Sequence, residues 1–477
     1  MKKILAVLIA LLMIGTSAFA FAEGNPPGNP PSGNRGTPPN GNPPGDPPSG
    51  GMGTPPGGMG GGFGGSTPPG GSTSSFEYTA AKEITEAAAV SGEIYATETP
   101  DESALIVNTA DEVTLDSITV SKTGDSNGGD NCNFYGLNAA LLVMSGSTAT
   151  ITNAAITSDA DGANGVFSYG GNGGQNGASG DGTTVIISDS TITTTGNGSG
   201  GIMTTGGGAT YATNLTVETS GRSSAPIRTD RGGGTVVVDG GSYTSNGLGS
   251  PAIYSTADIT VSNATLISNL SEGVCIEGKN SITLIDCDMT ANNTALNGNA
   301  TFLDTIMIYQ SMSGDADSGT SSFTMTGGSL TSLSGHLFHV TNTNAVINLS
   351  GVTLNNEGSD VLLSVCDDGW NGAANIATLN ADGQALQGTI LVGDNSTLNL
   401  SLTNGSTFEG TVSGEITNAK GTVVSTEIGT VHVTLDDTST WTLTADTCIT
   451  SFSGNAENVI GNGYTLYVGG TALTGTK

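Results

Sequence analysis

Basic residues are scarce in this sequence, which has 11 Lys and Arg against 42 Asp and Glu and a net charge of −31. A chain so short of cations repels phosphate, which excludes nucleic acid as a partner. Charged residues of either sign make up only 11% of the 477 residues. The acid excess is typical of a soluble protein, and it also suits one that collects divalent cations.

Cysteine is rare as well, and its five copies form no CxxC pair and no zinc-ligand pattern. They are Cys132, Cys275, Cys287, Cys366 and Cys448. A chain of this length has enough core to fold without a disulfide framework. We therefore expect most of them to be small buried hydrophobic residues.

Long apolar runs are missing except for one at the N-terminus. Two lysines precede the apolar run 4–14, and small residues then offer cleavage after Ala20 or Ala22. This order is typical of a secretory signal peptide, which we assign to residues 1–22, with an uncleaved anchor as the alternative. No later stretch is apolar enough to cross a bilayer. We expect a secreted protein, free or associated with the cell surface, without a membrane span after signal removal.

Residues 23–75 form a low-complexity block in which variants of Asn-Pro-Pro-Gly recur and 57–65 is nearly all glycine. Such a segment cannot bury apolar surface, so the sequence predicts a disordered Pro/Gly-rich linker. A spacer between the cell envelope and a folded body is the expected role, and a ligand segment for a partner is the alternative.

From residue 76 onward, short apolar strands alternate with turns and recur in order. The first strand type starts at Leu105, Leu141, Val166, Ile202, Ile227, Ile253, Val274, Ile306 and Leu337. The intervals between these starts vary but do not fall below about 21 residues, which is close to one coil of a β-helix. Longer intervals indicate coils that contain an inserted loop.

A second strand type follows each first strand and contains the decisive signal. In nine successive segments the fifth residue marks a turn, and eight of the nine are Asn, Asp or Gly, which tolerate the left-handed backbone region. These residues are Ser117, Asn153, Asp189, Asn214, Gly240, Asn263, Asp286, Gly327 and Gly351. A bend at one register in every unit is what a solenoid corner requires, and a sandwich of antiparallel hairpins does not explain it. Stacked Asn side chains can also hydrogen-bond to one another along such a corner.

The sequence therefore predicts an all-β protein, a parallel β-helix whose right hand follows from the crossover rule for parallel strands. We assign coils to residues 76–388, and final irregular coils with a C-terminal cap to 389–477. The Ala- and Glu-rich stretch 80–89 leaves a helix and a capping coil open.

Four stretches carry a family resemblance: 133–138, 164–170, 230–234 and 307–314. The body from 76 to 477 resembles the pectate-lyase-like superfamily of right-handed β-helices, and more narrowly the adhesin-like β-helix proteins that anaerobes secrete. The resemblance implies that any substrate groove lies over the first sheet. It says little about activity, because this fold carries lyases, hydrolases, adhesins and binding proteins.

Alternation along the first strands turns Ile227, Ile253 and Val274 inward and their neighbours outward. One outward column is Phe167, Met203, Arg228, Tyr254, Cys275, Met307 and Phe338. The next is Tyr169, Thr205, Asp230, Thr256, Glu277 and Tyr309. Tyrosine rings stack on sugar rings, and Arg and carboxylates bind hydroxyls or uronates. The candidate substrate-binding residues are Tyr169, Arg228, Arg231, Tyr254, Lys279 and Tyr309; packing beneath inserted loops is the alternative.

Catalysis would depend on Arg228, Asp230 and Glu277. The two carboxylates lie two coils apart, near the upper limit for an inverting glycosidase, and a lyase would need a basic residue beside bound Ca²⁺. No motif ties these residues to a known enzyme, and the simpler alternative is an ion-paired surface ladder.

Other candidate sites are weaker. Asp315 with Asp317, and Asp367 with Asp368, are acid pairs that can offer oxygen ligands to Ca²⁺, the one cofactor that the sequence suggests. His336 and His339 lack a third metal ligand, so we expect ordinary hydrogen-bonded histidines. Trp370 is either a sugar platform or a loop-packing residue.

We expect a monomeric, non-catalytic adhesin or polysaccharide-binding protein, with an extracellular polysaccharide or a cell-surface component as its partner. Two alternatives stay open: a polysaccharide lyase or glycoside hydrolase acting over the first sheet, and a purely structural surface protein.

Overall fold

The structure is a computed structural model and describes residues 77–126, 128–172, 179–370 and 374–477. The predicted signal peptide at 1–22 and the predicted linker at 23–75 lie outside these residues.

Each coil of the body contributes one strand to a parallel sheet, which we call the first sheet; fifteen strands of it are described. They are Thr79–Ile84, Glu102–Asn108, Leu141–Met144, Val166–Tyr169, Ile202–Thr205, Ile227–Thr229, Ile253–Ser255, Val274–Glu277, Asp304–Tyr309, His336–Thr341, Val361–Val365, Ala385–Val392, Thr407–Ser413, Thr440–Leu443 and Val459–Ile460. Each pairs with the strand one coil earlier and one coil later, as a parallel β-helix requires.

The second sheet is also parallel and takes up the rest of each coil, usually as two short strands separated by the corner residue. Its strands are Ala88–Ser91, Ile94–Thr97, Glu112–Asp116, Thr119–Lys122, Thr148–Thr152, Ala155–Ser158, Thr184–Ser188, Thr191–Thr194, Gly208–Thr219, Gly234–Ser245, Asp258–Ser262, Thr265–Ser268, Ser281–Ile285, Asp288–Asn292, Thr320–Thr326, Ser329–Ser334, Asn344–Ser350, Thr353–Asn356, Asn375–Asp382, Ser396–Thr403, Thr430–Leu435 and Ser451–Ser453. The predicted parallel β-helix is confirmed.

A few elements lie outside these sheets. They are a helix at Asn131–Tyr135, a 3₁₀ turn at Ala456–Asn458, an antiparallel pair formed by Ile416–Thr417 and Val423–Ser425, and a small sheet of Thr447–Ile449, Leu466–Val468 and Thr471–Ala472. No helix in the described part of the chain is long and apolar enough to cross a membrane.

The corner prediction is confirmed at all nine positions. Their φ angles are positive and range from 49° at Asp189 to 71° at Gly240. The same conformation recurs one coil before the predicted set, at Gly92, and in two later coils, at Gly383 and Asn404. One left-handed residue per coil therefore bends the second sheet from the first coil to the last third of the body.

Hydrogen bonds along this corner differ from the predicted Asn stack. Nδ2 of Asn214 donates to Oδ1 of Asp189, one coil earlier, at 2.7 Å. Asn153 and Asn263 likewise donate to aspartates of the preceding coil, at 3.0 and 2.7 Å. The corner is thus held by amide-to-carboxylate hydrogen bonds at these three positions, which uses part of the acid excess.

The interior is a set of stacked apolar columns. Ile227, Ile253 and Val274 stack in register and are fully buried, as predicted. They belong to one continuous core that runs from Ile84 to Leu466. The burial of apolar surface along the whole stack supplies the main stabilisation of the fold.

The predicted outward position of Phe338 is wrong. Phe338 pairs with inward-facing Ile306 and packs in the core, and His339 takes the place beside Met307. Because Leu337 and Phe338 are both apolar, the sequence pattern permits a register slip of one residue, and such a slip reverses inside and outside.

The stretch 80–89, for which a helix or a capping coil was open, contributes to the strands Thr79–Ile84 and Ala88–Ser91. The five cysteines are free, and four are buried while Cys448 is exposed, which confirms their mostly hydrophobic role. Strands continue in both sheets beyond 389, and the boundary between coils and cap stays a prediction.

Candidate functional site

The candidate site lies on the outward side of the first sheet, where successive coils stack Arg228, Tyr254, Cys275 and Met307. Glu277 ends its strand and pairs in register with Tyr309 of the next coil. The alternation of the strands places these side chains on one face, as predicted. What lies above them decides their chemistry.

A loop of the protein covers this face. We call residues 310–319 the strap; it follows the strand Asp304–Tyr309 and returns over earlier coils. Asp315 of the strap accepts hydrogen bonds from Nε and a terminal nitrogen of Arg231, at 3.1 and 2.5 Å. Asp317 forms an ion pair of 2.8 Å with Lys279. The strap therefore pairs with two of the three cations that the sequence proposed for substrate, Arg231 and Lys279.

Glu277 is a third anchor of the strap. Its Oε1 accepts hydrogen bonds from the hydroxyls of Ser311 and Ser313, and the Ser313 contact measures 3.1 Å. Its Oε2 accepts from the phenols of Tyr254, at 2.5 Å, and Tyr309, at 3.2 Å. The residue is only 1% exposed. A carboxylate with four hydroxyl donors and no access to solvent is a structural acceptor.

The two tyrosines are fixed by the same contacts. Burial, reinforced by the Glu277 charge, raises the pKa of both phenols well above the ordinary value. The Trp370 ring packs against Tyr309 with 5.0 Å between ring centroids, so Trp370 packs here as a loop residue. Tyr309 is 9% exposed, which leaves little of its ring for a sugar to stack on.

Arg228 and Asp230 form an internal ion pair of 2.8 Å, with side-chain exposures of 12% and 6%. Arg228 also donates to the carbonyl of Ser223 at 2.8 Å and lies over the Tyr254 ring. Burial raises the pKa of Asp230 to about 6, against the opposing effect of Arg228. This carboxyl can exchange a proton near neutral pH, but it has almost no contact with solvent.

Tyr169 is not part of this group. It packs edge-on against Tyr135 of the short helix, with 5.9 Å between centroids, and borders a separate apolar cluster around Phe167 and Met203. Lys279 is the most exposed of the predicted binding residues, with 47% of its side chain accessible. The structure thus brings together Arg228, Asp230, Tyr254, Glu277 and Tyr309, and places Arg231 and Lys279 at strap anchors.

The four proposed calcium ligands point to different partners. Asp315 pairs with the Arg231 side chain, and Asp317 pairs with the Lys279 side chain. Asp367 accepts from the Asn375 amide at 2.6 Å, and Asp368 accepts from the backbone N–H groups of Thr301 and Gly369 at 2.6 and 2.7 Å. Within the described ranges, no three His, Cys, Asp or Glu side chains are arranged to hold a metal ion.

His336 and His339 share the hydroxyl of Ser364, at 2.8 and 2.7 Å from their Nδ1 atoms. Burial lowers the pKa of His336 to about 3, so this ring stays neutral at ordinary pH. His339 stacks on Phe302 and lies 3.4 Å from Asp368. Both rings are packed side chains beneath loops.

The structure adds a feature that the sequence reasoning missed: a polar cleft of about 410 Å³ at the turn that follows the first-sheet strands. Its lining includes Gly207, Gly232–Gly234, Thr235, Asp258 and Lys279, from four successive coils. A smaller depression of about 300 Å³ lies at the same turn in later coils, beside Asn342 and Asn344. The signal was present as glycines after some of the first strands, such as Gly206–Gly208 and Gly232–Gly234, since glycines leave room that larger side chains would fill.

Comparison of the chain with family models, with curated proteins and with solved structures found no match.

Proposed function

We propose that this chain is a secreted, non-catalytic polysaccharide-binding protein of the adhesin type, built on the right-handed pectate-lyase-like β-helix. One observation supports the proposal: the candidate catalytic side chains form hydrogen bonds and an ion pair within the protein. Glu277 accepts hydrogen bonds from four hydroxyl groups, and Arg228 forms an ion pair with Asp230. A catalytic acid or base must reach the substrate, and these side chains contact the protein instead.

The proposed binding surface is therefore the polar cleft, and not the outward face of the first sheet that the sequence predicted. Backbone and hydroxyl groups line the cleft in successive coils, and successive coils repeat at about 4.8 Å. A polymer with a regular repeat can therefore form equivalent contacts with each coil. Lys279 is the one predicted binding residue in the lining.

The ligand that this surface favours is a neutral polysaccharide. Arg228, Arg231 and Lys279 are each paired with an aspartate, and the chain carries a net charge of −31. A polyanion such as a uronate polymer would meet repulsion from the whole molecule. Hydroxyl-rich neutral chains need only hydrogen-bond partners, which the cleft provides.

Retention on insoluble neutral polysaccharides tests the proposal. Thr235→Trp places a bulky ring in the cleft and should abolish retention of the full chain. The matched control is Thr216→Trp, at an exposed position of the second sheet beyond the corner, which should bind as the natural protein does. Tyr254→Ala and Tyr309→Ala test the first-sheet face in the same assay, and we expect retention to persist. Failure of the natural protein to bind any polysaccharide would favour the purely structural role.

Incubation with pectins, alginate and xylans in the presence of Ca²⁺ tests the enzymatic alternative. We expect no new reducing ends and no absorbance from unsaturated products. Product formation that Glu277→Gln abolishes would contradict the non-catalytic proposal, and it would place a lyase or hydrolase on the first sheet.

A further inference from the structure

A second feature lies away from the strap, at the turn that connects the second sheet back to the first. Lys122 ends the strand Thr119–Lys122 and is fully buried. Its neighbours in register, Thr97 and Ser158, carry short hydroxyl side chains. A long cationic side chain at this position is costly unless it has a specific task, because burial of an ammonium group is strongly unfavourable.

The hydrogen bonds of Lys122 fit an uncharged amine. Nζ donates to the carbonyl of Thr99 at 2.9 Å and to the carbonyl of Gly124. A neutral amine has two N–H bonds, so these two acceptors satisfy both and leave the lone pair free. Burial lowers the pKa of this amine, against the charges of Glu102, Asp101 and Asp125. Desolvation of this kind is one of the ways in which proteins make a lysine nucleophilic.

The buried side-chain amide of Asn138 donates to the same carbonyl oxygen as the Lys122 amine. Asn138 is 1% exposed, and its Nδ2 donates at 3.0 Å to the carbonyl of Gly124 that Lys122 also binds. The second N–H of this amide points to the carbonyl of Asp161, at 3.3 Å. Its Oδ1 is buried and has no hydrogen-bond partner among the residues that the structure describes. Buried side-chain oxygens are rarely left in this state, so the unpartnered oxygen needs an explanation.

A carboxylate lies near the Lys122 amine. Glu102 accepts a hydrogen bond from the Thr97 hydroxyl, and its negative charge acts on the Lys122 amine. The protein therefore supplies the three components of an acyl transfer around Lys122: an amine shielded from water, an amide carbonyl carbon and a carboxylate that can carry a proton.

We propose that Lys122 and Asn138 become joined by an isopeptide bond in the folded protein. Nζ of the neutral amine attacks Cγ of Asn138, the new Nζ–Cγ bond forms and the Cγ–Nδ2 bond breaks. Glu102 carries one proton from Nζ to Nδ2, and Nδ2 then leaves as ammonia. No oxidant, reductant or cofactor is required, since one amide replaces another.

The bond would close a loop over residues 122–138, which includes the short helix Asn131–Tyr135. This helix carries Phe134, on which Arg231 stacks, and Tyr135, which contacts Tyr169. A covalent closure reduces the freedom of the unfolded chain and so stabilises the folded state. It would fix the helix that lies against the outward face of the first sheet.

Tryptic peptide mapping of the full natural chain tests the inference. The basic residues next to Lys122 in sequence are Lys82 and Arg222. A free Lys122 gives two peptides, 83–122 and 123–222. The isopeptide blocks cleavage at Lys122, so we expect one peptide, 83–222, that lacks the mass of one ammonia and shows a link between Lys122 and Asn138 on fragmentation. Recovery of the two separate peptides at full mass from the folded protein would overturn the proposal.

Variants separate the crosslink from other events. Lys122→Met also removes the cleavage site but should give peptide 83–222 without loss of ammonia. Asn138→Gly suits the positive φ of 67° at this position and should restore cleavage at Lys122. Glu102→Gln should slow the reaction and leave a mixture of forms. Cyclisation of an asparagine alone also releases ammonia, but Lys122 would then stay cleavable, and that pattern counts against the proposal.

Discussion

The outer faces of the two sheets differ sharply, although the same coils build both. Outward residues of the first sheet such as Phe167 and Met203 are fully buried, whereas Ile186 and Tyr211 on the outside of the second sheet are 42% and 44% exposed. Strand alternation is the same in both sheets. The difference comes from inserted loops and the short helix, which lie over the first sheet. Whether an outward residue is buried therefore depends on whether an inserted loop or helix covers its coil.

The largest test of this comparison replaces one aromatic ring on each face. Phe167→Ala should lower the free energy of unfolding by about 3–5 kcal/mol, because it removes a ring packed on all sides. Tyr211→Ala, on the second sheet, should change it by about 0.5 kcal/mol or less, as exposed substitutions do. Urea denaturation of both variants measures the contrast. Equal effects would mean that the covering of the first sheet adds no packing energy.

A second test compares a buried acid, Asp230, with a partly buried one, Asp436. Burial raises the pKa of Asp230 from 3.8 to about 6, so the folded state holds this proton more tightly than the unfolded state does. The resulting stability is present at low pH and is lost as the pH rises through about 6. The change corresponds to about 3 kcal/mol. We expect the stability of the natural protein relative to Asp230→Asn to fall by about this amount between pH 4 and pH 7.

Asp436 on the corner should behave in the opposite way. Hydrogen bonds from the backbone of Asn404 and from Ser439 lower its pKa, so its contribution is present at neutral pH and is lost on acidification. The stability of the natural protein relative to Asp436→Asn should therefore rise with pH. Parallel pH profiles for the two pairs, measured by urea unfolding, would contradict this assignment.

The smallest expected effect concerns the corner, which lies within the second sheet. Asn263 has a φ of 55°, and Asn263→Ala should cost about 1–2 kcal/mol because alanine disfavours the left-handed region. Asn263→Gly accepts this backbone and loses only the hydrogen bond to Asp239. The glycine variant should therefore unfold at a higher urea concentration than the alanine variant. The reverse order would show that side-chain contacts, and not backbone conformation, define the corner.

The corner could be predicted from sequence because the left-handed conformation is a local preference of Asn, Asp and Gly. Ser117 lacks this preference and was found by its position in the repeat, and the structure confirms its positive φ. The inward columns followed from alternation within each strand. Phe338 shows the limit, because two adjacent apolar residues leave the register of a strand undefined.

The closure of the candidate site could not be predicted in the same way. It depends on contacts such as Arg231 with Asp315, which are 84 residues apart in the chain. The sequence pattern placed Arg231, Glu277 and Lys279 on one face and offered Asp315 and Asp317 only as weak candidates for calcium ligands. Nothing in their local sequence shows that the aspartates return to pair with those cations. The polar cleft was missed because it is lined mainly by glycines and other small residues.

Oxidative footprinting of the methionines tests the central claim, that the strap and its neighbouring loops cover the first sheet. Met312 at the tip of the strap is 70% exposed, whereas Met307, five residues earlier on the sheet below, is 3% exposed. Dilute hydrogen peroxide followed by tandem mass spectrometry compares the two within one sample, with the urea-unfolded chain as the control. We predict rapid oxidation of Met312 and protection of Met307 that disappears on unfolding. Oxidation of Met307 in the folded protein as fast as that of Met312 would show that the face is open and would contradict this account.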